Sequence, residues 1–250
     1  MAWLRLPYEC LVYYGGLLLF GAMCLVWSVV ALPLGLLLPK RAGVRLGRSV
    51  IAFGFRAYLL FLEFSGIVTC DLGALDGLGD QSPLIVAPNH PSLIDVVLIV
   101  SRLRNAVCII KATLWNQLMF SGSARLAGYI RNFSQSRLIV DATQEIGQGG
   151  QLLVFPEGTR TADGMLRPFK GGFALIAKRA RAPVQTVFIE INHPFLCKGC
   201  SLLKKPQFPL VFRVRLGKRF LPPDEVRPYV SQLEQYCRDQ LGRDGAGVQQ

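Results

Sequence analysis

An uncharged stretch near the N-terminus constrains the fold more than any other feature of this chain. It runs from Cys10 to Pro39, is 30 residues long and consists mostly of leucine, valine, glycine and aromatic residues. About 20 apolar residues are enough for a helix that crosses the hydrocarbon core of a bilayer. A signal peptide has a shorter apolar region and a small-x-small cleavage site, and no such site stands out here. The sequence therefore predicts a membrane helix.

The segment after this stretch is basic. No acidic residue occurs between Glu9 and Glu63, and the cations in this interval are Lys40, Arg41, Arg45, Arg48 and Arg56. Cytoplasmic flanks of membrane helices accumulate lysine and arginine, so we expect the remainder on the cytoplasmic face, taken as that of a bacterial inner membrane. Ser49–Phe64 is aromatic and apolar, which fits either a helix at the membrane interface or a core helix. The expected organisation is a membrane helix plus an interfacial helix in 1–70, an α/β domain in 71–242 and a disordered tail in 243–250.

Composition excludes several classes of protein. A hydrophobic fraction of 51% is high for a soluble domain, and the charges of the second half are unusual for a polytopic transporter. The net charge of +12 suits an anionic membrane surface, whereas dispersed cations without a binding module argue against nucleic acid. Seven scattered cysteines indicate reduced, buried thiols, and the pair Cys197 and Cys200 has no second pair or histidine to complete a metal site.

Short apolar strands alternate with helical segments after residue 82. The predicted strands are Leu84–Ala87, Ala106–Lys111, Gly128–Arg131, Gln151–Phe155, Val184–Ile191 and Phe212–Leu216, the last near an edge. The predicted helices are Ser92–Arg102, Trp115–Leu126, Ser136–Ile146, Gly172–Arg181 and Pro223–Leu241. This alternation predicts an α/β fold with a mixed, largely parallel sheet flanked by helices.

Chemically active residues follow several of these strands. Functional groups of parallel sheets gather beyond the carboxyl ends of the strands. The residues in such positions are His90, Lys111, Arg131, Glu157 and Arg160. His90 and Asp95 are five positions apart, a spacing that suits a general base and the carboxylate that orients it. No serine elbow or matching cysteine supplies a nucleophile, so the bound substrate is expected to supply a hydroxyl.

The turn after the fourth predicted strand has the chemistry of an anion site. Gly158 permits a conformation or a close substrate approach that a side chain would block. Arg160 can bind a phosphate through two parallel hydrogen bonds. Lys170 precedes a helix whose first backbone N–H groups also attract anions.

Two motifs resemble those of the PlsC-type glycerolipid acyltransferase family. Residues 89–95, read as Asn-His-Pro-Ser-Leu-Ile-Asp, resemble its N-H-x4-D motif, and residues 155–160 resemble its F-P-E-G-T-R motif. Residues 166–172 resemble its L-x-P-F-K-x-G stretch, and residues 182–189 its P-I-x-P-V strand. The family's G-x-x-F-I-x-R motif is shortened here to Gly128–Arg131, which leaves the identity of the acceptor open.

The resemblance implies an acyl transfer without metal or cofactor. His90 would deprotonate the acceptor hydroxyl, Asp95 would orient it, and the donor would be acyl-CoA or acyl carrier protein. The acceptor would be a lysophospholipid in the bilayer, with 1-acyl-glycerol-3-phosphate the expected one. Its binding site would include Asn89, Lys111, Arg131, Glu157, Gly158, Thr159, Arg160 and Lys170.

Three alternatives remain open at this point. The same chemistry could act on another lipid, such as a specialised or polyene lipid. Water could replace the acceptor, which would make the chain a thioester hydrolase. A non-catalytic membrane protein that binds anionic lipid would need neither His90 nor Asp95.

Overall fold

A computed structural model describes residues 2–161 and 166–247 of the chain. The helices are α1 (Ala2–Leu37), α2 (Lys40–Phe64), α3 (Asp95–Val100), α4 (Ala112–Trp115), α5 (Leu118–Leu126), α6 (Gln135–Gly147), α7 (Gly172–Ala180) and α8 (Val226–Gly247). The strands are β1 (Val68–Asp71), β2 (Leu84–Pro88), β3 (Ala106–Lys111), β4 (Ile130–Asn132), β5 (Gln151–Leu153), β6 (Val184–Ile191) and β7 (Leu210–Phe220). Residues 73–78 form a 3₁₀ helix.

One seven-stranded sheet carries the domain, in the order β1-β7-β6-β2-β5-β3-β4. Every neighbouring pair is parallel except β6 and β7. The predicted mixed, largely parallel sheet is therefore confirmed. One core cluster joins a face of the sheet to α1, α2 and α3, and a second joins the opposite face to α6, α7 and α8.

Several predicted boundaries were wrong for identifiable reasons. β7 is longer than predicted; it lies near an edge as expected, with only β1 outside it. The predicted helix from Trp115 to Leu126 is divided into α4 and α5. α8 extends to Gly247, past the expected start of a disordered tail, and residues 248–250 lie outside the described part of the chain.

The apolar N-terminal stretch forms a helix that is attached to the domain at two places. Of α1, residues 5–37 are long and apolar enough to cross a membrane. The backbone N–H of Gly122 in α5 donates to Oγ of Ser28 at 2.9 Å, and a Cβ at Gly122 would lie 1.9 Å from the carbonyl oxygen of Ser28. Only glycine permits this approach of α1 to α5. Near its start, α1 receives a second set of contacts from the loop 192–209, which we call the strap; it joins β6 to β7.

α2 is both a core helix and a partly exposed one. One face, including Ile51, Tyr58 and Leu62, is buried in the first core cluster, while Phe53 and Phe64 are exposed. Arg48 on the buried face donates to the carbonyl of Ala127 at 2.9 Å. Two further bonds of its guanidinium reach Oδ1 of Asn105 at 2.7 Å and Oε2 of Glu145 at 2.6 Å. Arg48 therefore fastens α2 to α6 and to the segments that follow α5 and precede β3, a role that its sequence position among the cations after α1 does not reveal.

Candidate active site

The structure brings His90 and Asp95 into direct contact. Nδ1 of His90 lies 2.8 Å from Oδ2 of Asp95, and the carboxylate is fully buried. Because Nδ1 faces the carboxylate, a ring that donates there leaves Nε2 able to accept a proton from a substrate. The arrangement suits a general base and a carboxylate that orients it.

The backbone between the two residues explains their distance. The helix α3 begins at Asp95 and not at Ser92 as predicted, because residues 92–94 form a turn. The N–H of Ser92 donates to Oδ2 of Asp95 at 2.8 Å, and Oγ of Ser92 donates to the carbonyl of Phe195 at 2.6 Å. Burial raises the pKa of Asp95 to about 6, and the hydrogen bond with His90 opposes that shift.

Phe155 supports the imidazole from the side. The ring centroids of His90 and Phe155 are 3.8 Å apart and nearly parallel, at an interplanar angle of 19°. With Asp95 on Nδ1 and an aromatic ring on one face, the imidazole has little freedom to rotate. Phe155 was not predicted as a site residue. The available signal was its place at the carboxyl end of a predicted strand, where functional groups of parallel sheets gather.

The two motifs are also joined through their backbones. The N–H of Thr161 donates to the carbonyl of His90 at 2.7 Å, and the N–H of His90 donates to Oε1 of Glu157 at 3.3 Å. Glu157 is buried and also accepts from Oγ1 of Thr161 and, at 3.1 Å, from the N–H of Arg167. Burial raises the pKa of Glu157, and these hydrogen bonds oppose that rise. The contacts of Glu157 are those of a residue that positions the loop around His90.

The turn after Glu157 is shaped by a glycine and a lysine stem. Gly158 has φ +68°, a left-handed conformation that favours glycine, and its ideal Cβ would lie 2.8 Å from the Lys170 side chain. Lys170 is exposed, and its N–H donates to the carbonyl of Pro156 at 2.8 Å. Thr159 is half-buried between Gly158 and Arg160.

Asn89 continues the sheet beyond the end of β2. Its Nδ2 donates to the carbonyl of Ile189 at 3.0 Å, and its Oδ1 accepts from the N–H of the same residue at 2.7 Å. Both ends of the amide are thus engaged by β6. Asn89 fixes the direction of the chain just before His90.

Arg131 and Lys111 leave the sheet on opposite faces. Arg131 is the register partner of Ile110 in β3. Side chains alternate between the two faces along a strand, so Arg131 lies on the same face as Tyr129, which packs with Phe155 against the first core cluster. Lys111 lies two residues after Ile109, which packs against the second cluster on the opposite face. The guanidinium of Arg131 lies over the ring of Phe133, 5.1 Å from its centroid. Its buried Nε has no hydrogen-bond partner among the described residues. Of the two cations, Arg131 is the one on the His90 side.

Arg160 connects the site to the strap. Its Nη1 donates to the carbonyls of Leu196 at 2.6 Å and Cys197 at 3.1 Å. The carbonyl of Leu196 also accepts from the N–H of Leu93 at 3.1 Å. The strap thereby holds both motifs, a role that no residue pattern in this loop indicated.

The oxidation state of the two cysteines in the strap differs from the prediction. A disulfide joins Cys197 and Cys200, so the prediction of reduced thiols was wrong for this pair. Their separation of three residues brings the two Cα atoms to 5.1 Å, within the usual range for a disulfide. Within residues 2–161 and 166–247, no three His, Cys, Asp or Glu side chains are grouped to hold a metal ion.

Comparison with known proteins gives consistent results. An acyltransferase family model matches residues 73–190. The chain is 27% identical over 225 residues to the 1-acyl-sn-glycerol-3-phosphate acyltransferase alpha of Homo sapiens, across 86% of this chain and 74% of that protein. It is 32% identical over 177 residues to the 1-acyl-sn-glycerol-3-phosphate acyltransferase of Cocos nucifera, across 64% of this chain and 57% of that protein.

A solved structure shares the fold. The crystal structure of the 1-acyl-sn-glycerophosphate acyltransferase PlsC from Thermotoga maritima superposes with a TM-score of 0.69 at 22% identity, over 97% of this chain and 98% of that one.

Proposed function

We propose that this chain, which matches an acyltransferase family model over residues 73–190, is a PlsC-type glycerolipid acyltransferase that transfers a fatty acyl group to the free hydroxyl of 1-acyl-glycerol-3-phosphate. The product is phosphatidic acid, and the donor is the thioester of acyl-CoA or acyl carrier protein. The observation that carries the proposal is the 2.8 Å contact between His90 Nδ1 and the buried carboxylate of Asp95.

In the proposed reaction His90 acts as general base. Its Nε2 takes the proton of the acceptor hydroxyl while the oxygen attacks the thioester carbonyl, and Asp95 stabilises the imidazolium that forms. The tetrahedral intermediate collapses, the C–S bond breaks, and His90 returns the proton to the departing thiolate. Acyl transfer of this kind draws on no metal or cofactor.

The phosphate of the acceptor is assigned to arginines near His90. Arg131 lies on the same face of the sheet as Phe155, and its buried Nε has no hydrogen-bond partner among the described residues. Arg160 is held by carbonyls of the strap, one of which also binds Leu93 in the segment 89–95. Two guanidinium groups suit a phosphate monoester. Lys170 remains a predicted ligand because its stem lies over Gly158. Lys111, also predicted, leaves β3 on the face opposite His90 and is not assigned to this phosphate.

With α1 in the membrane, the domain lies at the bilayer that contains the lipid acceptor. An 18-residue window of α1 has a mean hydropathy of 2.4 with only 11% of its residues buried, and the helix carries exposed leucines such as Leu11, Leu18 and Leu36. Because α1 contacts the domain both near Tyr13 and at Ser28, its outer face can enter lipid while its inner face stays on the protein. The cations that follow α1 favour the cytoplasmic side, which in a bacterium is that of the inner membrane.

The proposal is tested by thiol release from palmitoyl-CoA and palmitoyl-acyl carrier protein in detergent, with mass spectrometry of the lipid product. We expect release that depends on added 1-acyl-glycerol-3-phosphate and gives phosphatidic acid. Parallel assays with other lysophospholipids and a polyene alcohol test the acceptor. Release that ignores every acceptor would identify a hydrolase, and no release with any donor would contradict acyl transfer.

The rate should fall at acidic pH. Because burial raises the pKa of Asp95 to about 6, protonation at lower pH removes the acceptor for Nδ1–H of His90, and kcat/KM should decline below about pH 6. The effect of Asp95 on the free energy of unfolding has the opposite pH dependence. Folded Asp95 binds its proton more tightly than Asp95 in the unfolded chain, so its contribution to stability is lost as pH rises from about 4 to 6. A pH–rate profile with circular dichroism at each pH checks the prediction. A constant kcat/KM from pH 7 to 5 would contradict it.

A further inference from the structure

The tip of the strap is an exposed apolar turn with no part in the chemistry at His90. We propose that this tip, Leu202 and Leu203, is a second membrane contact, which enters the interface of an anionic bilayer beside α1. The inference rests on the proposed membrane placement of α1. It adds a contact that comes from the far end of the chain.

Two adjacent leucines are presented to the outside at the tip. The exposed fractions are 50% for Leu202 and 76% for Leu203. Single exposed leucines are common on protein surfaces and need no explanation. A pair at the end of a loop, beside an apolar helix, forms part of a larger apolar surface that suits lipid.

The position of the tip is fixed by α1. The hydroxyl of Tyr13 donates to the carbonyl of Leu202 at 2.7 Å, and that of Tyr14 donates to the carbonyl of Leu203 at 2.8 Å. Lys205 forms an ion pair with Glu9 at 2.6 Å. These contacts hold the strap against the first part of α1.

Tyr14 links the tip to the outer face of α1. Leu11, Tyr14 and Leu18 are spaced three, four and seven residues apart, so they share one side of the helix, and all three are exposed. Tyrosine is also the residue that membrane proteins place at the boundary between lipid and water. Leu203 therefore lies next to the surface of α1 that is proposed to enter the bilayer.

The charge of the strap matches an anionic lipid surface. Its charged residues are Lys198, Lys204 and Lys205, and no acidic residue occurs in 192–209. Lys198 and Lys204 are exposed and line, with His193, an open cleft of about 900 Å³ inside the strap. Lysines beside an apolar tip attract phosphate headgroups while the leucines contact the acyl region.

Site-specific photocrosslinking tests the contact directly. The photoreactive residue 4-benzoylphenylalanine is placed at Leu203 in one protein and at Leu221 in another. Leu221 is 77% exposed and follows the end of β7 that pairs with the start of β6, so it lies at the opposite end of this hairpin from the strap. Both proteins are irradiated with phosphatidylglycerol vesicles. We expect at least tenfold more lipid adduct at 203 than at 221.

A charge variant and a flotation assay complete the test. Lys198→Gln with Lys204→Gln should lower the adduct at 203 several-fold in phosphatidylglycerol vesicles and leave it unchanged in phosphatidylcholine vesicles. Equal adduct yields at 203 and 221 in proteins that float with the vesicles would overturn the strap contact alone. Proteins that do not float would overturn the membrane placement of α1 together with it. Acyl transfer in detergent, measured on the same proteins, reports separately on the proposed function.

Discussion

Replacement of His90 by alanine is expected to lower kcat for acyl transfer by about 10²–10⁴-fold, the usual contribution of a positioned general base. The reason is the geometry of its ring, which Asp95 and Phe155 hold in one orientation. The contacts that hold the surrounding loop use the backbone N–H and carbonyl of residue 90, and alanine keeps both. KM for the acceptor should therefore change much less than kcat.

The second histidine offers a matched control. His193 lies in the strap, half-buried and lining its cleft, and has no part in the proposed chemistry. His193→Ala should retain kcat within about threefold, since it removes no group that acts in the transition state. If both alanine variants lost activity equally, or if His90→Ala kept wild-type kcat, His90 would not be the base.

Arg48→Met should lower the free energy of unfolding by about 3–5 kcal/mol, the usual result of breaking a buried ion pair from one side. The side chain of Arg48 is 6% exposed, and its removal leaves the carboxylate of Glu145 and the carbonyl of Ala127 without this donor. Methionine fills part of the volume, so the loss of hydrogen bonds dominates over the loss of packing. Chemical denaturation in detergent, followed by circular dichroism, measures the effect.

Another arginine paired with α6 serves as the comparison. Arg137 is 74% exposed and contacts Asp141, one turn before Glu145 on the same helix. Exposed pairs of this kind contribute about 0.3–0.5 kcal/mol, so Arg137→Met should be close to wild type. A loss of less than about 1 kcal/mol for Arg48→Met would contradict the proposed role of Arg48 in fastening α2 to α6 and its neighbouring segments.

The sheet was predictable where strands were short, apolar and bounded by turn residues. β2, β3 and β6 were found for this reason. β1 was missed because only Val68 of its four residues is buried, so its sequence resembles the connector that follows. β7 was predicted too short because its second half contains the exposed, basic residues Lys218 and Arg219, and its pairing with β6 is not readable from composition.

The site was predictable only where the residues carrying the chemistry lie close together in sequence. The spacing of His90 and Asp95 indicated their contact, whereas their catalytic role stays a prediction. The opposite directions of Lys111 and Arg131 depend on the register between β3 and β4, which no single strand reveals. The contacts of the strap with Leu93 and Arg160 join segments far apart in sequence through backbone carbonyls, which leave no trace in residue identity.

The strap is held in place largely through its main-chain carbonyl oxygens, and this limits how relatives of this chain can diverge. Its contacts to Ser92, Leu93, Arg160, Tyr13 and Tyr14 all end on main-chain oxygens of the strap. Any amino acid presents such an oxygen, so these contacts do not restrict side-chain identity; the restrictions come from the buried Phe195, the ion pair of Lys205 with Glu9 and the disulfide, and from the proposed membrane tip. An insertion or deletion would instead shift every oxygen against its donor. Among homologues, the length of the strap between residues 195 and 203 should therefore be preserved more strictly than its amino-acid sequence.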